Sequence, residues 1–152
     1  MMVNKYLGDG FRAIFGAGDS SSNHARDAVS AGCEILEAVN ELNEQLAGKN
    51  RAAIQIGIGI HSGPAIVGSV GSPQRLEFTA IGNTVNIASR IEGLTKTVGR
   101  PLLVTAAVRD RSGDSFQFEE LPPQVVRGIE GRVLIFPLRV SGVMATRSGG
   151  QR

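Results

Sequence analysis

Asn86 and Arg90 stand four residues apart in a stretch whose apolar positions Val85, Ala88 and Ile91 follow a helical stripe. Amide and guanidinium therefore share one helix face, a turn apart and away from that stripe. Such a pair can hold a sugar oxygen and a phosphate oxygen together, because the arginine fork matches phosphate geometry. The same spacing also suits a plain solvated helix face. A second candidate is Asp9 in Gly8-Asp9-Gly10, which separates two alternating runs, Val3, Lys5, Leu7 and Phe11, Ala13, Phe15. Asp-Gly between such runs signals a β-hairpin with the carboxylate at or near its tip, where Asp is also an ordinary turn residue.

These groups need elements to position them. Residues 77–81 read as a short strand, Gly82 breaks it, and Asn83 or Thr84 can cap the helix that carries Asn86 and Arg90. Residues 20–23 supply capping side chains, after which Ala28, Ala31, Ile35, Val39, Leu42 and Leu46 recur at threes and fours. That predicts an amphipathic helix packed on a sheet and ending near Gly48, with His24 as a surface or helix-start residue. Ile54, Ile56, Ile58 and Ile60 alternate with Gln55, Gly57 and Gly59. The isoleucines face the core of a half-buried strand, and the glycines leave its other face open to a backbone or a ligand. Gly57, Gly59 and Gly63 do not have the spacing of the dinucleotide fingerprint. His61 has no partner evident in the sequence and reads as structural.

Further strands are expected at residues 65–70, 101–105, 116–121 and 133–138, a helical turn or two at 106–111, and a turn at 125–131 after Pro122-Pro123. Residues 141–152 are rich in Gly, Ser and Arg without periodicity, which predicts a disordered tail. Strands and helices mix without strict alternation, so the expected class is α+β, helices layered on a mainly antiparallel sheet.

Composition narrows the function. The chain has 152 residues, 41% of them hydrophobic, enough for one core and one domain. A formal net charge of +2, with no basic run interleaved with aromatics, argues against nucleic-acid binding. No apolar run approaches the roughly 18 residues of a membrane-spanning helix. The N-terminus lacks a signal-peptide layout, so a cytoplasmic location is expected. Cys33 is the one cysteine, which excludes an intramolecular disulfide and suits a small buried side chain in a reducing compartment.

The run Thr79-Ala80-Ile81-Gly82-Asn83-Thr84-Val85-Asn86-Ile87-Ala88-Ser89-Arg90-Ile91-Glu92 resembles the signature helix of class III adenylate/guanylate cyclase catalytic domains. Asn4-Lys5-Tyr6-Leu7-Gly8-Asp9-Gly10 resembles that family's metal- and base-reading hairpin. Gly57 to Pro64 resembles its glycine-rich strand, and Val126-Arg127-Gly128 its phosphate-binding turn. The motifs occur in the family's order, across residues 3–138.

The resemblance implies a ferredoxin-like βαββαβ core that works as a head-to-tail homodimer, or as a heterodimer with another cyclase domain. It implies an enzyme that converts ATP to cyclic AMP and pyrophosphate with two Mg²⁺ or Mn²⁺ ions. Asp9 resembles one of the two metal-holding aspartates, and carboxylate oxygens suit these hard cations. Asn86 resembles the ribose-orienting asparagine. Arg90 resembles the arginine that stabilises charge on the α-phosphate in the transition state, and Arg127 the basic residue at the β- and γ-phosphates.

Lys5 and Thr79 resemble the base-reading pair. Lysine donates to adenine N1 and threonine accepts from the 6-amino group, which points to ATP, with guanylate cyclase as a further alternative. The family normally opens earlier, with a strand bearing the first metal aspartate. Residues 1–140 therefore read as the C-terminal three-quarters of such a domain, with an open seam in its sheet and only Asp9 of the metal pair. The alternative is a catalytically incomplete regulatory or dimerisation module.

Overall fold

A computed structural model describes residues 2–16, 23–72, 75–129 and 131–139, and within these the side chains of all but 2–5, 7, 67–72 and 75–81. The predicted tail at 141–152 and the capping residues 20–22 lie outside the described residues.

The chain runs β1 (Met2–Leu7), β2 (Gly10–Ile14), α1 (His24–Gly48), β3 (Ile58–Ile60), β4 (Ile66–Ser72), β5 (Arg75–Ile81), α2 (Asn83–Val98), β6 (Leu102–Thr105), α3 (Ala106–Arg111), β7 (Gln124–Val125), β8 (Arg132–Val133) and β9 (Ile135–Pro137). The organising strand is β6. It pairs in parallel with β3 and antiparallel with β9, and all four of its residues are buried. A strand covered on both faces has no polar side to show, hence the unbroken Leu-Leu-Val. Its side chains alternate between two cores, as a pleat requires. Leu102 and Val104 join Ala25, Val29 and Leu36 of α1 with Val108, Phe136 and Leu138. Leu103 points the other way and joins Ile91 of α2 with Val126 and Ile135.

Three antiparallel hairpins, β1/β2, β4/β5 and β7/β8, form separate two-stranded sheets. Among the described residues β3 pairs with β6 alone, and β1/β2 makes no ladder with the three-stranded sheet. The α+β architecture, antiparallel except for β3/β6, is as expected.

Four expectations need correction. The face that α1 buries is Ala25, Val29, Gly32 and Leu36, one position round from the predicted stripe. Ala28, Ala31, Ile35 and Val39 lie on its half-buried flank, and Leu42 is 40% exposed. Gly32 sets this rotation: a Cβ there would come within 2.7 Å of Leu102 Cδ1, so α1 presents its smallest residue where it meets the sheet. The isoleucine strand is shorter than predicted, because the Asn43 side chain occupies both backbone groups of Ile54, donating to its carbonyl at 2.9 Å and accepting from its N–H at 2.7 Å.

The strand expected at 116–121 reduces to one bridge, Phe118 to Leu138. The strand expected at 133–138 splits at exposed Leu134, where the chain changes partner from β7 to β6. The hairpin tip is Gly8-Asp9, between paired Leu7 and Gly10, and Gly8 supplies the left-handed φ of +67°. The sequence signal Asp9-Gly10 thus located the hairpin while Gly8 makes its turn.

Candidate active site

Asn86 and Arg90 lie on α2, both exposed, each beside an apolar neighbour turned inward: half-buried Ile87 and fully buried Ile91. The helix sits directly on β3. A Cβ at Gly59 would stand 2.7 Å from Glu92 Cα and 2.8 Å from the Ala88 carbonyl oxygen, and nearer still to the Glu92 nitrogen. The open strand face expected from the glycines is thus filled by the backbone of α2. At the helix start the Thr84 hydroxyl donates to the Pro64 carbonyl at 2.5 Å, with Gly63 leaving room for it.

Arg127 is presented by the turn at 126–129, which the Ile129 N–H closes onto the Val126 carbonyl at 3.1 Å. Val126 is buried in the cluster that holds Ile91, and Ile129 packs against it. The turn and α2 are therefore fixed to one another. As a result the Arg90 guanidinium lies against Gly128: a Cβ on that glycine would be 3.5 Å from Nη2 and 3.7 Å from Nε. Two arginines far apart in sequence come to neighbouring places on the surface, one beside Gly128 and the other next to it in the chain. An exposed guanidinium lying beside a turn that carries a second exposed arginine suits a polyanion such as a triphosphate.

Asp9 is exposed at the tip of the β1/β2 hairpin. Lys5 stands on β1 opposite Arg12, and Thr79 on β5 opposite Gly68. β1 and β5 are neighbouring strands, while the side chains of Lys5 and Thr79 lie outside the described residues. Among the described residues no group of three or more His, Cys, Asp or Glu side chains gathers. The described residues do not by themselves form a cage for two metal ions. A groove lined by Arg109, Asp110, Gly113, Asp114, Phe116 and Phe118 lies beside α3 and holds none of the predicted site residues.

Two features escaped the sequence reading. His61 does have a partner: its Nδ1 lies 2.7 Å from the Thr105 hydroxyl, since the parallel register that pairs Ile60 with Val104 sets 61 beside 105. Burial, and then the charge of Arg111, lower its pKa below the usual 6.5. The other is the approach of Arg90 to Gly128, which only the tertiary fold produces. His24 opens α1 as expected, its Nε2 3.3 Å from the Ser62 hydroxyl. Cys33 is half-buried, and burial, then Glu37 and Glu34, raise its pKa above 9.0.

The Adenylate and Guanylate cyclase catalytic domain profile matches residues 3–139. An adenylate cyclase of Anabaena cylindrica is 36% identical over 141 residues, covering 90% of this chain and 28% of that protein. The fold superposes on the adenylyl cyclase CyaB from P. aeruginosa with a TM-score of 0.81 at 25% identity, over 92% of this chain and 72% of that one. It superposes on the guanylyl cyclase Cya2 with a TM-score of 0.79 at 28% identity, over 90% and 68%. The chain belongs to the adenylate/guanylate cyclase catalytic-domain family. It spans little more than a quarter of the length of that Anabaena relative, and backbone similarity alone does not separate the two nucleotide substrates.

Proposed function

We propose that this domain serves ATP cyclisation in cyclic-nucleotide signalling. The ribose 3′-hydroxyl loses its proton to water as its oxygen forms a bond to the α-phosphorus, the bond from that phosphorus to the β-bridging oxygen breaks, and 3′,5′-cyclic AMP and pyrophosphate result. The observation that carries this reading is the meeting of Arg90 with the Arg127-Gly128 turn. In it, Asn86 orients the ribose, Arg90 stabilises charge growing on the α-phosphate, and Arg127 holds the β- and γ-phosphates. Lys5 and Thr79 read adenine. Asp9 would be this chain's ligand to Mg²⁺ or Mn²⁺ held together with carboxylates from elsewhere, and such ions would supply charge neutralisation. The site is divided between two chains of a dimer, as its exposure on this one suits, and the location is cytoplasmic. Among the described residues no helix is long and apolar enough to cross a membrane.

A second reading, a non-catalytic regulatory or dimerisation module, is favoured by Asp9 belonging to no metal-ligating group of three or more among the described residues. Complementation separates the two. A complete adenylate cyclase domain disabled at its own base-reading lysine and ribose asparagine keeps its metal carboxylates. Mixed with this chain it should regain cyclic AMP synthesis, while this chain alone makes little or none even with Mn²⁺. Activity from the chain alone would refute the need for a second metal carboxylate from elsewhere. A silent mixture, with the heterodimer seen by sedimentation, would favour the regulatory module.

A further inference from the structure

We propose that Gly128 is a positioning residue for Arg90: the space left by its missing side chain fixes where that guanidinium lies. This rests on the reading that Arg90 and Arg127 face the phosphates of one nucleotide. Three observations carry it. Val126 and Ile129 anchor both ends of the turn in the cluster around Ile91, so the turn cannot drift away from α2. Gly128 takes a φ of +80° at the third position of that turn, a conformation that L side chains rarely adopt. And the Arg90 guanidinium lies in contact range of the missing side chain, with Nη2, Nε and Cζ 3.5, 3.7 and 3.8 Å from a Cβ built there.

The distances separate two effects. An alanine at 128 strains the backbone but only reaches van der Waals contact with Arg90. A leucine carries the same strain and adds a branched end that crowds the guanidinium. The difference between the two variants therefore reports displacement of Arg90 rather than the φ angle. Arg127 precedes the glycine and keeps its anchor at Val126 in both.

Both arginines belong to one chain, so the test needs no partner: calorimetric affinity of the full chain for inorganic triphosphate, with thermal melts to confirm folding. Arg90→Ala should weaken binding about fivefold, the range of a partly screened charge-assisted contact. Gly128→Ala should stay within about twofold of the unaltered chain and Gly128→Leu should match Arg90→Ala, with no added loss in the Arg90→Ala, Gly128→Leu double variant. Equal losses in the Ala and Leu variants, or an additive double variant, would overturn the role of Gly128 and leave the phosphate reading standing. Arg90→Ala and Arg127→Ala that both bind like the unaltered chain would overturn the phosphate reading and this inference with it. In the unaltered protein a nuclear Overhauser contact between the Arg90 Nε proton and the Gly128 α-protons is expected, and its absence also overturns the inference, whether or not the Leu variant folds.

Discussion

Gly59→Ala and Gly93→Ala make the same chemical change on the two sides of the α2 contact and should have opposite signs. At Gly59 the new methyl would stand 2.7 Å from Glu92 Cα and 2.8 Å from the Ala88 carbonyl oxygen. Carbon atoms in contact prefer about 3.5–4.0 Å, so α2 must retreat by roughly 1 Å. Neither obstacle is the far end of a flexible side chain; both are helix backbone. Overpacking of this kind costs about 1–3 kcal/mol. In a domain of this size that is a fall in Tm of roughly 3–10 °C.

Gly93 lies within α2, is exposed, and has nothing within 4 Å of a built Cβ. Alanine there removes the helix penalty of glycine, about 0.8–1 kcal/mol, and should raise Tm by about 2–4 °C. Thermal melts followed by circular dichroism read both. Because α2 carries Asn86 and Arg90, a retreat of about 1 Å should also cut turnover in the complemented heterodimer by roughly a hundredfold, whereas Gly93→Ala leaves it unchanged. A Gly59→Ala protein as stable as the unaltered chain would refute the claim that Gly59 sets the depth of the helix.

Other outcomes follow from the same geometry. Arg90→Ala in the complemented heterodimer should lower kcat far more than it raises KM for ATP, because its contact strengthens as charge builds on the α-phosphate; a change in KM alone would make Arg90 a ground-state clamp. Lys5→Glu with Thr79→Cys should lower the ATP over GTP ratio of kcat/KM by a few kcal/mol, roughly the cost of unpaired buried polar groups, and an unchanged ratio would remove the base-reading assignment. His61 has a lowered folded-state pKa, so the unfolded chain binds more protons between that value and 6.5. Its contribution to stability is thus present above pH 6.5 and lost as pH falls through the folded pKa. Urea midpoints across that window should decline on acidification less steeply in His61→Gln than in the unaltered chain, and parallel profiles would dismiss the effect.

The parts legible in the sequence are those set by local chemistry. Val85, Ala88 and Ile91 gave α2 its period, Ala106 to Arg111 gave α3 its bounds, and alternation around Gly8-Asp9-Gly10 gave the first hairpin. What the sequence hid depends on a second element. The rotation of α1 follows from Gly32 meeting Leu102, and helical periodicity does not tell a glycine in a contact from one in solvent. Leu134 breaks an apparently continuous strand because its two sides pair with different partners. The family motifs named Arg90 and Arg127 separately; their proximity needed the burial of Val126 beside Ile91.

The two-sided burial of β6 also constrains the order in which the chain can assemble. Its parallel partner β3 is separated from it by a crossover that includes the β4/β5 hairpin and all of α2, and its antiparallel partner β9 begins thirty residues after it ends. Closing such distant pairs loses chain entropy before any ladder forms, and folds that depend on them are slow to fold. α1 and the hairpins can form early from local signals. The two cores cannot both close until β9 reaches β6, and until then Leu102, Leu103 and Val104 form an uncovered apolar strand. On the ribosome, that places the aggregation-prone interval between emergence of β6 and arrival of Ile135–Pro137.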